Sequence, residues 1–393
     1  MTTTWGEEYI TLALRVEKHF EGFVDAYCGP PELKARIEKE EKQSLDHLLA
    51  QAERLEAAIP EPDKARRIYL EKQVTGIKTT IKVLQGEDMD YTRKVELFFD
   101  ITPQKTPDSN LEKQIQVLKD IFKTEEIHEA VDQWRASREV PEPQLESMIQ
   151  ELCLESRRRT LDLFQLPEKE HIDFILVHDK PWSGYNWYLG DYRSRVEINT
   201  DIPIQVTGLP SLISHEGYPG HHTDHVIKER VLYKEKGFLE ASIFVYNTPE
   251  CLISEGVANA GFNLIFEDRR EVYEYLNRKF QAGLDVEKET AIAEAFNALT
   301  RCSGNAALMV HQENCDPKEA VEYLVEMGLT TQARAEKQME FITHPLFSPY
   351  VFNYTIGEDI VKEAYKTRDP RILYESQVCP SNLTYLPESH KSK

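Results

Sequence analysis

Four of the twelve histidines fall within eleven residues, in the segment SHEGYPGHHTDH at 214 to 225. It supplies His215, His221, His222 and His225, with Glu216 beside the first. In the zinc-protease pattern HExxH, two imidazoles four apart share one helix face and bind one ion, while the glutamate faces its water. Here the fourth position is Pro219. On an ideal helix His221 would lie about 240° around and about 9 Å along from His215, and His222 about 10.5 Å along on the same face. Neither fits nitrogens that must each lie about 2.0 to 2.1 Å from one zinc. An unbroken helix therefore cannot build the site. Pro219 with Gly220 is the pair that breaks or bulges it, bringing His221 back to a ligand position, because proline removes an amide donor and glycine accepts strained dihedrals. Two other readings stay open: a fresh helix begun at Pro219 with merely polar histidines, and a His221–His225 pair, four apart, on an unbroken helix.

A downstream carboxylate favours the metal. Glu255 sits in CLISEGVANAGFNLIF, which reads as a buried helix through Leu252, Ile253, Val257, Ala260, Leu264 and Ile265. A carboxylate in such surroundings needs a partner, either an arginine or a cation. Two histidines and a glutamate, with the fourth position left to water, form the ligand set of a hydrolytic zinc site.

The combination of HEGYPGHH, the later SEG and YTIG near the end resembles the bacterial family catalogued as domain of unknown function 885. That family resembles the thermolysin-like gluzincin metallopeptidases, and its helical build is similar to that of the carboxypeptidase Taq group. The resemblance covers roughly 170 to 367, with a weaker echo in AYCGPPELKA at 26 to 35. It implies metal binding by His215, His221 and Glu255 and general acid/base work by Glu216. His222 is the alternative ligand or a supporting group, and His225 lies outside the family's pattern. Tyr354 in YTIG, and secondarily His311, are the candidates for stabilising an oxyanion. Val257 stands where the family commonly has tryptophan.

The expected activity is hydrolysis of small peptides by a zinc-activated water, with Glu216 shuttling the proton. Other divalent metals, another amide substrate and a non-catalytic binding role are the alternatives. For substrate contacts, the strand at 194 to 199 offers an edge for an extended peptide, with Asn199 at its end. Arg193, Arg195 and Arg301 are available for a terminal carboxylate, and Tyr188, with Tyr185, Trp187 and Tyr192, for a pocket wall or an aromatic cluster. No GxSxG elbow, GxGxxG turn or P-loop is present, and Cys302 and His311 lack a supporting pattern.

The elements that must position these residues are mostly helical. Residues 1–165 form a helical N-terminal region walling one side of the cleft, and 166–393 form the metal-binding region. Helices are expected over 31–59, stopped by Pro60 and Pro62, over 63–84 ended by Gly86, and over 109–135 and 142–164. The mixed charges Glu38 to Lys42 read as a solvated face of the first. Two strands, 171–179 and 194–201, flank an aromatic loop, PWSGYNWYLGDY, and helices return from 209 to 367. The fold class is thus mostly α, a multi-helical zincin-like unit with a small central sheet. With 393 residues and a net charge of -21, the chain forms a sizeable core and disfavours nucleic acid or an anionic membrane. The acidic N-terminus lacks export features, no apolar run spans a bilayer, and six cysteines without ligand spacing fit a reducing cytoplasm. Oligomeric state is left open.

Overall fold

The computed structural model describes residues 4–59, 63–180 and 183–388. Pro60, Pro62, Pro181 and Trp182 lie outside them. The chain is mostly helical, with two small sheets. In the first, β1 (Val24–Tyr27) pairs antiparallel with β5 (Ile243–Val245). In the second, β2 (His171–Val177), β4 (Arg193–Asn199) and β3 (Gly184–Gly190) lie in the order β2-β4-β3, β2 parallel and β3 antiparallel to β4.

Several expectations are corrected by this layout. The aromatic segment read as a loop contains β3, whose Asn186, Tyr188 and Gly190 face inward while Leu189 is exposed. Its glycines masked a period-two pattern. β4 is the central strand, so the edge expected at 194–199 is already paired on both sides, and the outer edges belong to β2 and β3. The single helix expected over 31–59 is two, Pro31–Lys39 and Leu45–Ala57. Glu40 turns extended, its carboxylate takes two hydrogen bonds from Arg15, and Ser44 caps the next helix by accepting the His47 amide. The charged run is therefore partly an interhelical joint rather than one solvated face. The helix expected over 109–135 is likewise two, Asp108–Phe122 and Ile127–Ser137, and the helices Trp5–Glu17, Tyr91–Phe99 and Arg371–Glu375 lie outside the expected spans.

The Pro249–Ile265 helix is buried on nearly every side, as its composition requires. Leu252 and Val257 are fully buried, and each such side chain contributes about 1.5–3 kcal/mol, which helps offset the cost of enclosing Glu250 and Glu255 on the same helix. One apolar core runs from Tyr91, Phe98 and Val131 to Leu252, Leu308 and Phe352, across the position 165 boundary. Together with the β1–β5 pairing, it ties the N-terminal region to the half that carries the histidines.

Candidate metal centre

The histidine segment neither runs on as a bulged helix nor restarts at Pro219. A helix ends at Glu216 (Leu209–Glu216), the chain turns through Gly217–Gly220 with a cis Tyr218–Pro219 peptide, and a new helix starts at His221 (His221–Lys228). Gly220 is what allows so tight a joint. Its amide donates to Ser214 C=O at 2.9 Å, and a Cβ there would fall 1.9 Å from the His215 carbonyl oxygen. Gly220→Ala should thus open the joint, costing about 3 kcal/mol by overpacking and displacing His221. Thermal unfolding together with metal titration checks this; a variant matching the parent in both would refute the close-packing account.

The joint brings His215 and His221 together with their rings perpendicular and 4.7 Å apart. His215 Nε2 lies 3.6 Å from Glu255 Oε2 and 4.0 Å from Glu216 Oε1, and His221 Nε2 lies 3.8 Å from Glu255 Oε1. Donors about 2.1 Å from one tetrahedral ion stand about 3.4 Å apart, so these separations fit a shared cation. His215, Glu216 and His221 also offer ligand atoms within 4.8 Å of one another.

Hydrogen bonds on the far sides of the rings fix their tautomers. Asn259 Nδ2 donates to Tyr354 C=O at 3.0 Å, which turns its Oδ1 toward His215 to accept from Nδ1 at 3.0 Å. Ser254 donates to Asp224 at 3.1 Å and accepts from His221 Nδ1 at 3.2 Å. Both Nε2 lone pairs are left facing Glu255, the arrangement that supports metal-binding histidines. Tyr350 donates to Glu255 Oε1 at 2.9 Å, while the buried Glu255 Oε2 has no hydrogen-bond partner among the described residues.

The electrostatics match that orphaned oxygen. Burial pushes the His215 imidazole down to about 4, against the Asn259 hydrogen bond, and pushes His221 well below its ordinary value, so both rings are neutral donors at neutral pH. Burial, then the charges of Glu255 and Asp25, raises Glu216 to about 8. Burial, opposed by the Tyr350 hydrogen bond and reinforced by Asp25, raises Glu255 to about 8. Asp25, on β1, is itself raised to about 6 chiefly by burial, although Tyr185 donates to it. Three carboxyls that resist ionising together are what a divalent cation would compensate.

A cavity of about 100 Å³ adjoins these groups, lined also by Gly184, Tyr185, Asn186, His225, Phe244, Tyr246, Tyr350 and Tyr354. Tyr354 reaches it from the turn Asn353–Gly357, which crosses the Glu255 helix at backbone contact. A Cβ on Gly256 would lie 2.3 Å from Gly357 O, so the glycines of SEG and YTIG permit the crossing.

Other predicted residues fall elsewhere. His222 is fully buried with both nitrogens engaged, Nδ1 with Ser194 Oγ at 2.8 Å and Nε2 with Glu170 Oε2 at 2.9 Å, so it is not an alternative ligand. His311 bonds Ile342 C=O at 2.7 Å and stacks on Tyr91, outside the cavity. Asn199 closes a turn, donating to Lys180 C=O and accepting from the Asp201 amide, and Arg195 pairs with Glu197 at 3.3 Å. Neither lines the cavity. Tyr188 donates to Glu229 and backs the His225 ring without lining the cavity itself. His225, stacked there, lines the cavity and stands outside the His215, Glu216 and His221 cluster. Arg301 is taken up by Asp359 at 2.7 Å. Asp25, Ser254, Asn259 and Tyr350 were missed; only Asn259, four residues after Glu255 on one helix face, left a readable signal.

The His222 partner yields a pH prediction. Burial would raise Glu170, but the His222 and Tyr218 hydrogen bonds and Arg157 at 2.7 Å outweigh it and hold the carboxyl down at about 2. A folded value below the unfolded one, ~4.3, stabilises fully above that pH and loses its contribution as pH falls toward 2. Glu170→Gln should therefore flatten the acid limb of stability between those values, measured by urea unfolding at stepped pH; an unchanged limb counts against it.

No family model and no curated protein matches this chain. Among solved structures it is similar to a protein of Colwellia psychrerythraea described as a "putative lipoprotein", at 14% identity over 87% of this chain and 67% of that chain, with a TM-score of 0.57. It is also similar to a "putative lipoprotein of unknown function" from Shewanella oneidensis, at 13% identity over 85% and 69% of the two chains, with a TM-score of 0.47. No helix among the described residues is long and apolar enough to cross a membrane. A likeness at 14% identity bears on the fold and leaves the cytoplasmic expectation untested. What the Colwellia likeness establishes is the mostly helical fold.

Proposed function

We propose that the chain is a metal-dependent hydrolase, zinc being the favoured ion, that cleaves amide bonds in small peptides, and that it is related to the family its HEGYPGHH, SEG and YTIG segments resemble. One observation carries this reading: the Nε2 atoms of His215 and His221 turn toward one buried carboxylate, Glu255, at 3.6 and 3.8 Å, one of whose oxygens has no hydrogen-bond partner among the described residues. His215, His221 and Glu255 would hold the cation. When bound, it would supply Lewis acidity, polarising a carbonyl and lowering the pKa of a water toward about 7.

The chain's own groups do the rest. Glu216, beside the ligand cluster, accepts the water's proton and returns it to the leaving amine. Tyr354 presents to the cavity a hydroxyl suited to a developing oxyanion, while Tyr350 holds Glu255 in place. The β3 edge at Gly184 and Asn186 offers main-chain groups to an extended substrate. Asp25, held by Tyr185, adds negative charge suited to a substrate's amino group. A cavity of about 100 Å³ admits only the end of a ligand, which also favours a second reading, hydrolysis of a small non-peptide amide. The six free thiols favour a reducing compartment.

Elemental analysis of the purified protein, with a panel of short peptides and acyl amides assayed before and after chelation, tests the proposal. One equivalent of metal and chelator-sensitive cleavage are expected. Metal-independent cleavage, or bound metal with no cleavage of any member, would overturn the hydrolase reading, the latter in favour of a binding protein.

A further inference from the structure

A second cavity, of about 460 Å³, shares no lining residue with the first. It lies among the helices Ile127–Ser137, Val286–Leu299 and Gln332–Thr343, at the start of Leu209–Glu216. Arg135, Arg269 and Arg334 line it, and no aspartate or glutamate does, in a chain with 68 acidic and 47 basic side chains.

The arginines are poorly neutralised. Arg135 has one ion pair among the described residues, with the exposed Asp132 at 3.5 Å, and its guanidinium lies over the Phe296 ring at 5.2 Å. Arg269 meets Ser211 Oγ at 3.3 Å and packs over the Phe262 ring, with no ion pair among the described residues. Arg334 is exposed and likewise without one. Glu289, a buried acid close by, is already held by Trp134 and Arg138. Burial, followed by the Arg334 charge, pulls the Arg135 guanidinium below its ordinary value, so the two cations repel.

An independent observation points to a ligand. Tyr273 lines the same cavity and is 1% exposed, yet its hydroxyl has no hydrogen-bond partner among the described residues. Burial raises the Tyr273 hydroxyl above its ordinary value, and the Arg269 guanidinium opposes this by its charge and by a loose approach outside good hydrogen-bond geometry. Buried hydroxyls are normally satisfied, and exceptions call for an explanation. On another wall Trp134 and Phe296 stack at 5.7 Å and 16°.

We propose that this cavity binds a small organic anion, a carboxylate or phosphate carried on a flat apolar group. Arg135, Arg269 and Arg334 hold the oxyanion, the Tyr273 hydroxyl donates to it, and the Trp134–Phe296 pair receives the apolar part. The volume lies within the range of small-molecule sites, about 300–1,000 Å³. The inference does not depend on hydrolase activity at the metal centre.

Isothermal titration calorimetry of the full chain with phenyl phosphate, benzoate and inorganic phosphate tests it. At least one aromatic anion should bind one to one, more tightly than inorganic phosphate. Arg334→Gln should weaken that binding roughly 10-fold, and Tyr273→Phe, which removes only a hydroxyl, by about 3- to 10-fold. The His215→Ala variant should bind as the parent does, separating this cavity from anion capture by a metal. Circular dichroism verifies folding of each variant, and the exposed Arg334 is replaceable without disturbing the core. No saturable binding by any probe up to roughly 10 mM would overturn the proposal. So would affinity untouched by both Arg334→Gln and Tyr273→Phe, or abolished by His215→Ala.

Discussion

Glu216→Gln is expected to lower hydrolysis by roughly 10²- to 10⁴-fold while metal content stays at the parental level. Glu216 is 6% exposed at the end of its helix, and its nearer oxygen stands 4.0 Å from His215 Nε2, compared with 3.6 Å for Glu255. It is thus beside the ligand cluster and free to handle a proton. Glutamine keeps the shape and removes the base, so the loss should fall on kcat and leave KM nearly unchanged. The substitution also relieves repulsion among Glu216, Glu255 and Asp25, so the cation-free variant should be at least as stable as the parent. Steady-state kinetics paired with elemental analysis decides the role. Loss of metal along with activity would make Glu216 a ligand, and full activity would remove it from the mechanism.

Glu255→Gln should strike binding itself. Its carboxylate faces both Nε2 atoms, and the substitution removes the only negative ligand of the proposed set while sparing the size of the side chain and the Tyr350 hydrogen bond. Removing a mere supporting group typically costs about 10- to 100-fold in metal affinity, so a ligand should cost more than about 100-fold. Stability gives a second readout. At a zinc concentration 1,000 times the parental Kd the cation stabilises the fold by about 4.1 kcal/mol, and a 100-fold weaker variant keeps only about 1.4 kcal/mol of that. Zinc competition against a chromogenic chelator and melting with and without zinc measure both. Parental affinity in the variant would refute the ligand assignment.

The pattern of long helices was legible because their apolar spacing and punctuation are local. Lys64–Leu84 ends just before Gly86, and β2 and β4 appear as short β-branched runs, as expected. Within the candidate site, the proximity of His215, Glu216, His221 and Glu255 was legible because each lies in a segment whose composition is unusual for its surroundings. Asp25 was not. It sits in a four-residue strand whose partner, β5, lies more than two hundred residues away, and no local periodicity announces such a pairing. His311 and Asn199 were misplaced for the same reason: a polar side chain can be satisfied by a distant carbonyl or a neighbouring turn, and only packing decides which.

The register of the histidines divides what sequence determined from what tertiary structure decided. For His215 and His221 to share one ion, the sequence by itself required a break in the helix between them, because regular helical geometry separates them too far. It also required that a buried glutamate on an apolar helix find a partner. Folding chose how. The joint at Gly217–Gly220 places His221, and not His222, beside His215 and Glu255, while the His222 nitrogens go to Ser194 and Glu170 on separate elements. The close crossing at Gly256 and Gly357 brings Tyr354 C=O to Asn259, and Asn259 then sets the His215 tautomer. These choices depend on contacts between segments far apart in the chain, where hydrogen-bond satisfaction and close packing, rather than local propensity, set the outcome.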